Sequence, residues 1–292
     1  MTDFNTIAVL GLGTMGAGIA QVVARSGRSV VALEADEQRL DDGLAAVAAF
    51  LDGSVERGKL APDERDAVLG RITGTTDVAD LSSAEAVVES VSEQLEIKVA
   101  LLERVAAVVG LDVPLLTNTS ALSVTDLAAR LPHPERVAGL HFFNPAPLMR
   151  TVEVVRALQT GETLVERLVA LVGTFADKDP VVVDDRPGFL VNALLLPYLN
   201  DVIGELDAGL ATAEDLDVAL ELGLGYRTGP MRMLDVIGLD VHLHATEAIH
   251  AATGDARYAA PPLLRRMVAA GRLGDKSGHG FRVTPDNHHE GQ

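Results

Sequence analysis

Short apolar runs alternate with amphipathic stretches along the first two thirds of the chain. Residues 6–10 (TIAVL) and 29–34 (SVVALE) are apolar runs of strand length, and 14–26 between them carries its apolar residues at helical spacing. The three predict a βαβ unit, which implies parallel strands joined by a right-handed crossover. Further strands are expected at 85–91, 113–118, 136–142, 151–155 and 180–184, and helices at 37–57, 94–109, 123–130 and 162–176. This alternation predicts an α/β, Rossmann-type doubly wound sheet. After DDRPGF (184–189) the pattern changes, and 188–209, 213–222, 230–252 and 261–270 all read as helix. The expected division is therefore a sheet domain over 1–186 and a smaller all-α domain over 187–292. The tail PDNHHEGQ (285–292) reads as disordered.

Composition narrows the function classes. The 292 residues carry a formal charge of −18, so the overall field repels nucleic acid and anionic membranes. Tryptophan is absent and only three tyrosines occur, which leaves little for a base-stacking surface. No apolar run approaches the roughly 20 residues that cross a bilayer, and a cytoplasmic location is expected. Cysteine is absent, which excludes disulfides, thiolate nucleophiles and cysteine metal sites. His244, Glu247 and His250 share a predicted helix, but no second Glu-x-x-His helix accompanies them, so no metal is expected. No G-x-S-x-G elbow follows a strand, which argues against a nucleophilic hydrolase.

The first strand ends in GLGTMG, a G-x-G-x-x-G at Gly11, Gly13 and Gly16 with Met15 inside it. Between a strand and a helix this pattern has a mechanism. Gly11 permits the tight turn, Gly13 lets backbone approach a pyrophosphate, and Gly16 allows close packing of the helix whose N-terminus faces the phosphates. The second strand ends at Glu34, 23 residues after Gly11. A carboxylate there accepts from the ribose 2′-hydroxyl of NAD and repels the 2′-phosphate of NADP. NAD is the expected cofactor. Asn118 also stands at the C-terminal end of a predicted strand, beside the expected cofactor path.

The stretches GLGTMGAGIA, TNTSALS, GLHFFNPAPLMRTVEVV, RPGFLVNALLLPYLN and GDKSGHGF occur in the order found in the 3-hydroxyacyl-CoA dehydrogenase family, which the chain resembles from Ile7 to Phe281. The resemblance implies a reversible NAD-dependent oxidation of a short-chain (S)-3-hydroxyacyl thioester, 3-hydroxybutyryl-CoA foremost, with His141 as general base. Imidazole chemistry agrees, since it titrates near neutrality and can return the proton in the reverse direction. Glu153 matches the family's paired glutamate, and a carboxylate in the valine-rich TVEVV run needs such a partner. Ser120 and Asn192 match the polar positions that hold substrate oxygens, and Glu93 and Lys98 match contacts to the nicotinamide ribose. Ser123 is the better cap for the helix after Ser120. The resemblance further implies a substrate cleft and a homodimer contact on the helical domain. GDKSGHGF and YRTGPMRMLDVIGLD read as structural, with Asp235 and Asp240 as helix caps.

Two departures from the family pattern stand out. A motif usually written with two serines reads Ser120-Ala121, and no basic residue occurs from Leu40 to Glu56, where coenzyme A phosphates are commonly met. Only Arg57 and Lys59 follow. The same chemistry on an acyl carrier protein is therefore a second reading, because a nucleotide handle wants several cationic or amide donors. A noncatalytic NAD-binding protein is a third, disfavoured by the joint presence of Ser120, His141, Glu153 and Asn192. Lysine-based hydroxyacid dehydrogenases share the glycine loop, but here His141 with Glu153 fills the lysine's role.

Overall fold

The computed structural model describes residues 4–282, so the expected disorder of the 285–292 tail lies outside the described residues. The chain divides into two compact units between Phe189 and Leu190. The first runs β1 (Thr6–Leu10), α1 (Thr14–Arg25), β2 (Ser29–Leu33), α2 (Glu37–Glu56), α3 (Pro62–Leu69), β3 (Ile72–Thr75), β4 (Ala86–Glu89), α4 (Leu95–Ala106), β5 (Leu115–Thr117), α5 (Val124–Ala129), β6 (Val137–Phe142), β7 (Thr151–Arg156), α6 (Glu162–Val172) and β8 (Asp179–Asp184). The strands form one sheet in the order β3-β2-β1-β4-β5-β6-β7-β8. Every neighbouring pair is parallel except β6 and β7.

Helices cover both faces of this sheet, so its central strands are apolar on both sides. In β1, Ile7 and Val9 enter one core cluster and Ala8 and Leu10 the other. Burying Ile7, Val9 and Leu10 stabilises by roughly 1.5–3 kcal/mol each. The doubly wound sheet matches the expectation, with two elements that the apolar pattern does not announce. β3 is four residues, ITGT, too short and too polar to read as a strand. Its Gly74 lies under Leu40, where a Cβ would come within 2.8 Å of that side chain. α3 begins at Pro62 and buries only Val68, so its periodicity is faint.

The second unit contains α7 (Val191–Asp207), α8 (Ala213–Leu224), α9 (Pro230–Ile237), α10 (Leu239–Thr253) and α11 (Pro262–Ala269). The single helix expected over 230–252 is two, because Gly238 adopts φ 98° between α9 and α10, a conformation that ends a helix. Asp235 also departs from its expected role as a cap. It lies inside α9, buried, and accepts from the amides of Phe281 (2.8 Å) and Arg282 (2.7 Å), which pins the GDKSGHGF turn. A Cβ on Gly280 would stand 2.0 Å from the Asp235 carboxylate, which explains that motif's glycine. The α9 amides of Met231 and Arg232 are instead capped by buried Asp217. Asp240 stays in the first turn of α10, paired with Lys276.

A buried polar cluster joins α7 to α10. His242 Nε2 donates to Asn200 Oδ1 (3.0 Å), Asn200 Nδ2 donates to Thr246 Oγ1 (2.8 Å), and Thr246 Oγ1 donates to the Tyr258 carbonyl (3.0 Å). His242 Nδ1 is buried and meets no hydrogen-bonding partner among the described residues. Burial pushes this imidazole down to about 4. The unfolded chain binds the proton from about pH 6.5 downward and the folded chain resists it, so this group's contribution is complete above that pH and is lost as pH falls toward 4. Urea denaturation is expected to lose about 3 kcal/mol at most across that window from this group. His242→Gln should fall less steeply; an equal slope would remove His242 as the cause.

Candidate active site

The parallel strands β1, β2, β4, β5 and β6 end on the same side of the sheet, and the chemistry-bearing residues follow those ends. Between β1 and β4 the connections leave in opposite directions, the place where an open α/β sheet forms its crevice. The glycine loop lies there. Gly11 takes φ +84°, a conformation favouring glycine, and donates its amide to the Leu33 carbonyl. A Cβ on Gly16 would lie 1.8 Å from the Gly11 carbonyl oxygen, so α1 packs directly on the loop's backbone. At Gly13 a Cβ would meet nothing within 4 Å, which leaves that backbone open to a ligand. The first turn of α1 carries no acidic residue, so its dipole is free to face an anion. Met15 sits in that turn, its side chain partly buried and packed against the core.

Glu34 follows β2 and turns toward the loop. Its Oε1 accepts from the Leu12 amide (2.6 Å) and its Oε2 from the Ala35 amide (2.9 Å). A cleft of about 690 Å³ opens here, bounded by Gly11, Gly13, Glu34, Val91, Leu101 and Arg104. These features fit a dinucleotide: glycine amides and a helix N-terminus for the pyrophosphate, and a carboxylate beside them for a ribose. A second cleft of about 510 Å³ adjoins the loop between α1 and α2, with Gly18, Arg39, Phe50, Asn144 and Pro147 among its walls. Arg39 and Glu34 line both clefts. Neither Arg39 nor Asn144 is a candidate on sequence grounds above. Arg39 has no motif around it to mark it, whereas Asn144 stands three residues after His141 in the same HFFNP run, which is a signal that could have found it. Its peptide bond to Pro145 is cis.

His141 and Glu153 stand directly opposite each other in the antiparallel β6/β7 pair. His141 Nδ1 lies 2.6 Å from Glu153 Oε2, with Glu153 fully buried and His141 5% exposed. A carboxylate only accepts, so Nδ1 carries a proton, and in the neutral ring the lone pair then lies on Nε2. The imidazole packs between Phe143 (centroids 4.6 Å) and Phe189 (5.4 Å), which restricts its rotation. Asn118 closes the strand ends, its Oδ1 accepting from the Phe142 amide (2.8 Å) next to His141. Its carbonyl oxygen thus binds protein, and Asn118 ties β5 to β6.

Ser120 lies three residues past β5, its amide donating to Glu93 Oε1 (2.9 Å). Ser123 caps α5 by accepting from the Asp126 amide (3.1 Å), so Ser120 is not needed as a cap. Burial pushes Glu93 up, but Lys98, Thr119 and the Ser120 amide outweigh it and hold the carboxyl below its usual range. Lys98 is buried, bonded to Glu89 (2.7 Å) and Glu93 (3.2 Å). Glu89 is a further residue that sequence reasoning missed, although a carboxylate ending the apolar run AVVE carries the same signal as Glu153 in TVEVV. Asn192 belongs to the helical unit, as the second residue of α7, half-buried.

Comparison with known families decides the assignment. The model described as "3-hydroxyacyl-CoA dehydrogenase, NAD binding domain" matches residues 6–186, and the C-terminal domain model of the same family matches 188–283. The chain belongs to the 3-hydroxyacyl-CoA dehydrogenase family. It is an NAD-dependent oxidoreductase. A 3-hydroxybutyryl-CoA dehydrogenase of Mycobacterium tuberculosis is 42% identical over 96% of this chain and 99% of its own. A 3-hydroxyadipyl-CoA dehydrogenase of Escherichia coli is 41% identical over 96% of this chain and 59% of its own. The crystal structure of (S)-3-hydroxybutyryl-CoA dehydrogenase from Ralstonia eutropha superposes with a TM-score of 0.91 at 38% identity, covering 96% of this chain and 99% of its own. Family membership gives the chain its cofactor, NAD. Among the described residues no helix is long and apolar enough to cross a membrane.

Proposed function

We propose that this 3-hydroxyacyl-CoA dehydrogenase interconverts a short-chain (S)-3-hydroxyacyl-CoA, 3-hydroxybutyryl-CoA foremost, and its 3-oxo counterpart, with His141 as the general base. The observation that supports this reading is the buried 2.6 Å pairing of His141 Nδ1 with Glu153 near the C-terminal end of β6. Nε2 takes the proton of the 3-hydroxyl in the oxidative direction and returns it in the reverse. Glu153 holds the imidazole in the basic tautomer and offsets the positive charge that forms on it in a dry setting. Bound NAD supplies the hydride acceptor in one direction and the donor in the other. Ser120 is assigned a hydrogen bond to a substrate oxygen, and Asn192 a second one on the resemblance alone.

Glu34 is proposed to select NAD by binding the ribose diol. Glu34→Ala removes that acceptor and the support of the Leu12 amide, and leaves Arg39 and Arg104 on the same cleft. It is expected to weaken NADH about tenfold and to narrow the preference over NADPH. An unchanged preference in steady-state assays would move the ribose contact elsewhere.

The names of the relatives favour coenzyme A as the handle. The acyl carrier protein reading rests on the absence of basic residues from Leu40 to Glu56 of α2, beside which Arg65 of neighbouring α3 is occupied by Asp52 and Asp66. NADH oxidation with acetoacetyl-CoA is expected to exceed that with the same acyl group on a carrier protein. Turnover confined to the carrier protein would reverse the assignment. A homodimer through the helical unit is also proposed, because α8 exposes Val218, Leu222 and Leu224, the second at 83%. Sedimentation is expected to give twice the chain mass, and a monomer would remove the dimer from the reading.

A further inference from the structure

The turn that joins the strands of His141 and Glu153 is held by a buried lysine from elsewhere in the chain. β6 ends at Phe142 and β7 begins at Thr151, so residues 143–150 form a long connection. Short hairpin turns fix strand register by their own geometry, and a connection of this length does not. Inside the turn, the Pro145 carbonyl accepts from the amides of Leu148 (2.9 Å) and Met149 (3.0 Å). Lys178, at the entry to β8 and 6% exposed, donates from Nζ to the carbonyls of Met149 (2.7 Å) and Pro147 (3.2 Å). Burial pushes this ammonium below the ordinary lysine range, opposed by Asp177 and reinforced by Arg25, and both acceptors are carbonyls with no full charge to offset that cost. The turn also seats on α1. Ala146 is buried in the core, and a Cβ on Gly18 would stand 3.1 Å from both Ala146 Cβ and Pro147 Cδ.

We propose that Lys178 is a positioning residue for the His141–Glu153 pair, acting through the 143–150 turn. The proposal rests on the reading of His141 as the general base. Phe143 opens the turn and packs against the His141 imidazole, and Asn144 to Pro147 wall the cleft between α1 and α2. At the far end of the turn, the Arg150 carbonyl accepts from the amide of Asp179 (2.8 Å), the residue after Lys178. The entry to β8 thus grips the second half of the turn at the Pro147, Met149 and Arg150 carbonyls. With the ammonium gone, the first two lose their donor and turn toward water. The backbone that moves is continuous with Phe143 at one end and with β7 at the other, so the 2.6 Å contact between His141 and Glu153 is misaligned.

The test compares Lys178→Met, Gly18→Ala and His141→Ala in the full chain. The readouts are thermal denaturation, NADH binding by fluorescence, kcat and KM for acetoacetyl-CoA, and the downfield proton NMR resonance of His141 Nδ1, assigned by its loss in His141→Ala. Lys178→Met is expected to lower kcat about tenfold and to shift or broaden that resonance, while the Kd for NADH stays within about threefold. Either an unchanged resonance or a kcat within about threefold of wild type would overturn the proposal and reduce Lys178 to a structural residue, whatever the loss of thermal stability. A Kd for NADH raised about tenfold would overturn it too, placing the turn in the service of the dinucleotide. Should Lys178→Met not fold, Gly18→Ala moves the same turn from α1, since the added methyl forces Ala146 and Pro147 to give way. It is expected to shift the resonance and lower kcat in the same direction at smaller size; wild-type values for both count against the proposal. Wild-type kcat in His141→Ala would sink the reading of His141 as base, and the resonance would still decide whether Lys178 holds the pair.

Discussion

His141→Ala is expected to lower kcat by about 10³-fold, the scale of a lost general base, while the Kd for NADH stays within about twofold. The split follows from location. The glycine crevice lies at β1, β2 and β4, whereas His141 lies on β6, beyond β5 in the sheet order. The ring fills space between Phe143 and Phe189 and donates to a fully buried carboxylate, so its removal also costs stability, on the order of 1–3 kcal/mol. Thermal denaturation beside NADH titration keeps the two effects apart. Loss of NADH binding together with turnover, in a folded protein, would mean that His141 is a structural residue of the sheet.

Glu153→Gln is expected to lower kcat by about 10²–10⁴-fold with little change in side-chain volume. A carboxamide can face Nδ1 with either end. With its amino group toward the ring, Nδ1 becomes the acceptor, Nε2 takes the proton, and no base remains. With its carbonyl toward the ring the tautomer survives, but the imidazolium loses the charge that balances it at 2.6 Å. Either orientation impairs the proton transfer and leaves the dinucleotide crevice intact. A kcat within about threefold of wild type would remove Glu153 from the mechanism.

Much of the site is legible in the sequence because its signals are local. The glycine loop announces itself by its spacing, with Gly11 at positive φ and Gly16 where no Cβ fits, and Glu34 follows an apolar strand. Glu153 is conspicuous as a carboxylate in a valine run. Other features are illegible for physical reasons. β3 lacks an apolar face because Leu40 covers its glycine, so the pattern shows nothing strand-like. Gly238 breaks a helix whose periodicity runs on across it. Asp235 resembles a cap from its neighbours, yet its partners lie at Phe281 and Arg282, far along the chain. Lys98 stands at a helix start, and its three acceptors, Glu89, Val91 and Glu93, come together only because the chain turns back between β4 and α4.

By itself, the order of apolar and polar residues determined the alternating sheet, the change to helices after 184–189, the glycine crevice and the residue types available for proton transfer. These follow from steric and hydrophobic rules that act over a few residues. The tertiary structure decided which groups meet. β7 returns antiparallel to β6, and only that direction sets Glu153 across from His141 at twelve residues' separation. Strand direction is chosen by pairing with distant segments, and side-chain alternation reads the same in either direction.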